Sequence, residues 1–269
     1  MIVDPFELPP MALTATPATP ATPAAGDAPA AATYVGPFDR EAWPERLAAH
    51  VVSPGAEPRL HGYAVAGDLA RFYGAVDVTW LVLRGELPTA AERAAFDVAM
   101  VLLAPVAIGE APAHAAGLAR IAGAPPAATI AITAVGLGEQ ARAERAAMAP
   151  WWAWLDAPTG AVPACALVPT ESPESLEAQA ARRWLDGQLR SWFGADRGLP
   201  DAPIGRVACG HAILHRLGLR GPVVLETVLV WARLPAVMAE AAAVRIGDVR
   251  GYPARLPDFQ YTDHEGAAP

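Results

Sequence analysis

Apolar positions along this chain recur mostly at helical spacing, with little of the alternation that marks a half-buried strand. The clearest segment is GELPTAAERAAFDVAMVLLA. Thr89 is placed to cap a helix and Glu92 stands three residues on, a capping box. Phe96 and Met100 then fall one turn apart, followed by Leu103. Just upstream, GAVDVTWLVLRG predicts a helix that turns Val78, Leu81 and Val82 inward and stops at Gly85. Downstream, APPAATIAITAVGLG opens on prolines and is apolar all round, so the helix it predicts should be covered on every side, in a core or between subunits.

The second half is more broken. MAPWWAWLDAPTGAVPACALVPT, within residues 145–170, mixes Trp with Pro and predicts irregular packing. Ser172 and Pro173 then open a helix whose stripe is Leu185, Leu189, Trp192 and Phe193; Arg182, Arg183, Asp186 and Arg190 fill the rest, and Gly194 ends it. GHAILHRLGL and the run from Gly221-Pro222 predict the last helices, the second with a kink or break at Pro235. No internal repeat stands out. The expectation is an all-α fold in a helical domain of two parts, residues 34–146 and 206–269, with a reduced, partly irregular lobe at 147–205. Residues 14–33 are a Pro/Ala/Thr tract with nothing large to bury, so a disordered tail is expected over residues 1–33, and Met11 is an alternative start to Met1.

Composition changes the picture in a few ways. At 269 residues the chain can bury one good-sized core, and 53% of it is hydrophobic with a mean hydropathy of +0.24, so excess apolar surface needs a helical core or a subunit interface. The net charge is −8 and every basic residue is arginine, a balance that argues against nucleic acid. The best membrane candidate, PVVLETVLVWARLPAVMAEAAAV, carries Glu226, Arg233 and Glu240, so no membrane span is expected. The first residues include Asp4 and Glu7 and lack a basic stretch, which speaks against a secretory signal. Cys165 and Cys209 cannot build a disulfide scaffold or a zinc ribbon, and reduced thiols in a cytoplasmic protein are the simplest expectation. No P-loop, G-x-S-x-G or dinucleotide-binding glycine pattern is present.

Residues 60–100, LHGYAVAGDLARFYGAVDVTWLVLRGELPTAAERAAFDVAM, resemble the front of the citrate synthase and citryl-CoA lyase superfamily. The likeness rests on His61-Gly62-Tyr63, Asp68-Leu69-Ala70 and Gly85-Glu86-Leu87-Pro88-Thr89. It resumes in APAHAAGLARIAGAP, in LVWARLPAVMAEA (229–241) and in the closing DFQYTDHEG, and covers most of residues 40–144 and 205–265. The resemblance implies an all-helical dimer that joins or cleaves an acyl-CoA and a keto acid. No covalent cofactor and no metal is implied; a coenzyme A thioester would be the substrate. Such chemistry requires a carboxylate to remove a weakly acidic proton, imidazoles to hold the enol and keto oxygens, and arginines to grip carboxylates.

The parts that carry this chemistry are altered here. Where the family has Gly-x-x-His-Gly-Gly, the segment GLGEQARAE offers Glu139 or Arg142, neither of them a neutral imidazole donor. The position of the family's substrate-binding histidine falls on Glu110, and that of its catalytic aspartate on Val207. Its Gly-x-Gly-His-Pro loop is missing: Gly210-His211 is similar in letters only and fits a later helix. Asp263-His264-Glu265 spells a family tripeptide at the wrong place. Arg233 alone matches, as a carboxylate clamp; the plainer alternative is a helix arginine paired with Glu226 or another acid. His61 stands where the family has a substrate-contacting arginine, but a surface or turn histidine is the simpler reading. His211 and His215, one turn apart, have metal-ligand spacing without a partner to complete a site. Trp151, Trp152 and Trp154 suit an adenine stack or, more simply, a core plug.

Three functions follow. The first is a catalytically degenerate partner subunit, in a homodimer or beside a full-length paralogue. The second is an active synthase, lyase or thioesterase with its chemistry relocated to Glu110, Glu139, Arg142 and Arg233. The third is a sensor of small carboxylic acids.

Overall fold

The computed structural model describes residues 49–53, 55–168 and 174–247, the side chains of 174–180 excepted. The chain divides into residues 1–48 and 49–269. The expected tail at 1–33, Ser172 and Pro173, Asp263-His264-Glu265 and the closing DFQYTDHEG lie outside the described residues. The description below is of the second unit.

Its architecture is all-α, as the periodicity requires. A small antiparallel sheet, β1 (Val52–Ser53), β2 (Arg59–Leu60) and β3 (Tyr63–Ala64), leads into a short π-helical turn at Val65–Leu69 and α1 (Ala70–Phe72). His61 and Gly62 form the tight turn between β2 and β3, both with positive φ (45° and 88°). That is the backbone a two-residue hairpin demands, and His61 adopts it at a steric cost Gly62 does not pay.

Next come α2 (Ala75–Arg84) and α3 (Ala90–Leu103). The Asp77 carboxylate accepts the Gly74 N–H at 2.8 Å at the start of α2 and meets Arg93 of α3 at 3.3 Å. Gly85 closes α2 in the left-handed conformation, as expected from sequence. The inward face of α2 is Asp77, Trp80 and Leu81; Val82, expected inward, is 39% exposed because it falls a residue past that stripe. The Thr89/Glu92 capping box at the head of α3 is formed in both directions.

Helix α4 (Ala111–Ile121) is followed by α5 (Pro126–Ala147) and α6 (Ala149–Asp156). Pro150 has no N–H to continue α5, so the chain bends at Met148 and starts a new helix. Irregular packing was the expectation throughout 145–170; residues 149–156 are helical instead, because Trp151 and Leu155 share a face that enters the core. The long helices α7 (Glu174–Phe193), α8 (Arg206–Arg216) and α9 (Pro222–Ala243) complete the described residues. Helix α9 runs through Pro235 without a break.

One main core joins Trp80, Phe96, Leu103, Trp151, Leu185, Leu189, Ile204, Ile213 and Leu229. A second, smaller cluster (Ala113, Ala116, Leu137, Val237, Ala241) lies where α4, α5 and α9 pack together. Its small side chains allow close approach: a Cβ on Gly136 would stand 3.3 Å from the Pro112 backbone. By length and composition α9 could cross a membrane; it packs on α3, α4 and α5 and carries buried Arg233, with a third of its apolar window buried within the chain.

Candidate functional site

Where α3, α5, α6, α8 and α9 meet, the core contains a cluster of charged and polar side chains. Its members are Glu144 of α5, His211 of α8 and Arg233 of α9. His211 and Arg233 are buried (0% and 3% exposed). The Glu144 side chain is 16% exposed, so the cluster lies close to the surface on this side.

Two donors address the two oxygens of Glu144. His211 Nε2 lies 2.8 Å from Oε1, and Arg233 Nη2 donates to Oε2 at 2.5 Å. Arg233 Nε donates to the Leu103 carbonyl at the end of α3, 3.2 Å away, and its Nη1 is buried without a partner. On the far side of the imidazole, Trp152 Nε1 donates to His211 Nδ1 at 2.9 Å. An indole nitrogen can only donate, so Nδ1 is the acceptor and the ring proton sits on Nε2, pointing at Glu144. Both ring nitrogens of His211 are therefore engaged inside the chain. Burial pushes the Glu144 carboxyl upward, but the hydrogen bond from His211 and the charge of Arg233 outweigh it, holding the group below its ordinary value.

One turn on, His215 Nε2 donates to Asp156 at 3.0 Å, and Arg220 reaches the same oxygen at 2.8 Å. His215 Nδ1 is buried without a partner. Burial and the neighbouring Arg220 push this imidazole below 6.5, against the pull of Asp156. Trp152 stands edge-on to both histidines, with ring centroids 5.9 and 5.3 Å away. Each histidine thus has its own acid, where the sequence suggested none, and the two are committed to different carboxylates. No group of three or more metal-ligating side chains forms among the described residues.

The structure does not gather the sequence-based candidates. Glu139 and Arg142 pair with each other at 2.6 Å on the outer face of α5, both more than 60% exposed. Glu110, at the head of α4, accepts the Ala107 N–H at 2.7 Å and a short hydrogen bond from Gln140. His61 occupies the hairpin turn described above, its ring toward Gly85. Arg233 is tied to Glu144, not to Glu226, which pairs with Arg145 at 2.8 Å. Trp151 donates to the Ala208 carbonyl at 2.9 Å and stacks on Trp154, so these two plug the core while Trp152 serves the histidine.

Glu144 was not singled out in the sequence, yet a signal existed. Thr129, Thr133, Leu137 and Ala141 form the buried i, i+4 stripe of α5, and Glu144 extends it by three residues. An acid on a buried stripe requires a cation, and α9 holds one on its inner side.

No protein-family model matches the sequence, and no curated protein matches it. Among solved structures, the chain is similar to citryl-CoA lyase from Hydrogenobacter thermophilus, with a TM-score of 0.52 and 16% sequence identity. The alignment covers 83% of this chain and 96% of that one. At this identity the likeness speaks for the fold: the helices of this chain adopt the all-α, citrate synthase-like arrangement of that lyase.

Proposed function

We propose that this chain is a catalytically degenerate relative of citrate synthase and citryl-CoA lyase, acting as the helical partner subunit of an enzyme that condenses or cleaves an acyl-CoA and a keto acid. The observation that carries the reading is the engagement of His211 and Arg233 within the chain. A histidine that polarises a substrate carbonyl needs a free N–H, and His211 spends its only one on Glu144. An arginine that clamps a substrate carboxylate needs an open fork, and that of Arg233 is turned to Glu144 and Leu103. Glu139 and Arg142, the alternatives for relocated chemistry, neutralise each other in solvent. In this reading the coenzyme A thioester is handled by the partner.

The exposed surface supports a subunit role. Helix α5 buries only one stripe within the chain and leaves Ile130, Ile132 and Val135 exposed. A shallow apolar groove of about 390 Å³ runs along α9 between Val223, Val230, Trp231 and Leu234. Apolar faces of this kind suit a protein–protein interface. The unbridged Cys165 and Cys209 fit a reducing, cytoplasmic setting.

The test is turnover and association together. The purified chain, offered acetyl-CoA with oxaloacetate or citryl-CoA, should release no thiol and consume no thioester. Mixed with a paralogue that carries Gly-x-x-His-Gly-Gly, it should co-elute as a defined complex. Turnover by the chain alone that disappears in Glu139→Gln would establish the relocated-chemistry alternative. A stable monomer that ignores such a paralogue would refute the partner role.

A further inference from the structure

We propose that His211 and Arg233 form a pre-built site for a small carboxylate, and that Glu144 is an internal ligand filling it. This deepens the reading above, since a degenerate subunit would hold its anion site closed from within, but its evidence is separate.

Three features distinguish the arrangement from an ordinary structural ion pair. First, the donors are divided between the two oxygens: the imidazole takes Oε1 and the guanidinium takes Oε2. That is recognition of a planar carboxylate as a unit. Second, each donor has an anchor other than Glu144. Trp152 holds the ring through Nδ1, and the Leu103 carbonyl holds the guanidinium through Nε. Withdrawal of the acid would leave both donors aimed at the same point, which is what pre-organisation means physically. Third, Arg233 Nη1 is buried without any partner, on a side chain only 4% exposed. A tethered carboxylate, held by α5, leaves that donor unused; a free one could turn to meet it. The ligand class is a carboxylate monoanion no larger than the volume Glu144 vacates, admitted along the partly exposed path this side chain now occupies.

The experiment is chemical rescue of Glu144→Ala in the full chain. Thermal melts are recorded against sodium formate and sodium acetate, with sodium chloride at matched ionic strength. The expected result is a saturable rise in the melting temperature of Glu144→Ala with formate, weaker with acetate, and none with chloride. Wild type and the double variant Glu144→Ala/Arg233→Met should show no such rise. If Glu144→Ala does not fold in chloride, refolding from urea is compared in the two salts, and recovery in formate alone supports the site. Identical behaviour in formate and chloride, whether both fold or both fail, overturns the proposal. A response that persists in the double variant overturns it too. No thioester or partner enters this assay, so a negative result leaves the partner-subunit reading standing, and turnover by the chain would remove that reading without touching this one.

Discussion

Gly210 stands beside the polar cluster, and Gly210→Ala offers a direct test of how tightly α8 is set against α3. A Cβ at this position would lie 2.7 Å from Leu103 Cγ, 2.8 Å from Cδ2 and 3.2 Å from Cδ1. Carbon atoms rest at about 3.5–4.0 Å, so the overlap approaches an ångström against a side chain that is itself fully buried. Such overpacking costs about 1–3 kcal/mol. Alanine returns about 1 kcal/mol through its better helix propensity. The net expectation is a loss of up to about 2 kcal/mol, or up to roughly 1 M in the urea midpoint at a slope of about 2 kcal/mol per molar. Leu103→Ala supplies the control. Alone it should cost about 2–5 kcal/mol as a cavity. In that background the added methyl meets no leucine, so Gly210→Ala should become neutral or stabilising, and the two changes should couple by about 1 kcal/mol or more. Urea melts of the four proteins, read by tryptophan fluorescence, complete the cycle. Strict additivity of Gly210→Ala with Leu103→Ala would refute the close contact.

Other expectations follow from the same geometry. The lowered His215 means that below 6.5 the unfolded chain takes up this proton first, so its contribution to stability is complete above 6.5 and falls as pH drops through the native value. Glu144 acts at lower pH: its contribution is full above 4.5 and disappears as pH falls through its depressed native value. Urea midpoints against pH should therefore decline in two stages, and His215→Gln should remove the upper one; an unchanged upper stage in that variant would contradict the assignment. Burial pushes the Cys209 thiol up to about 12, so a thiol reagent should modify Cys165 in the native protein and reach Cys209 only on unfolding. Val135, 70% exposed on α5, makes no demand on the isolated chain, so Val135→Asp should leave the melting temperature unchanged while shifting any dimer toward monomer in sedimentation. A stable dimer in that variant would place the interface elsewhere.

Much of the fold could be read from local chemistry. The Thr89 cap, the Gly85 stop and the Pro222 start each involve a few adjacent residues, and each is where the sequence pattern puts it. Helix α6 was hidden because a Pro- and Trp-rich composition looks irregular until the core that receives Trp151 and Leu155 is known. The polar cluster was hidden for a related reason. Glu144, His211 and Arg233 are separated by 67 and 22 residues, and no spacing rule connects α5 to α8 and α9. A resemblance to a known family drew the eye to Glu139 and Arg142, which share α5 with Glu144 but face water. The residue that mattered was marked only by lying on the buried side of its helix.

The pairing of α5 with α9 also bears on synthesis. Among the described residues α9 is the last helix made, and it covers a face that α4 and α5 cannot bury on their own. On the ribosome, at roughly 5–20 residues per second, the α4/α5 face lined by Ala113, Ala116 and Leu137 leaves the tunnel seconds before its cover does. During that interval the nascent chain carries a sticky helix with nothing to hold it. Production of this protein should therefore lean on holding chaperones, and slower translation of the segment before Pro222 should lower the soluble yield.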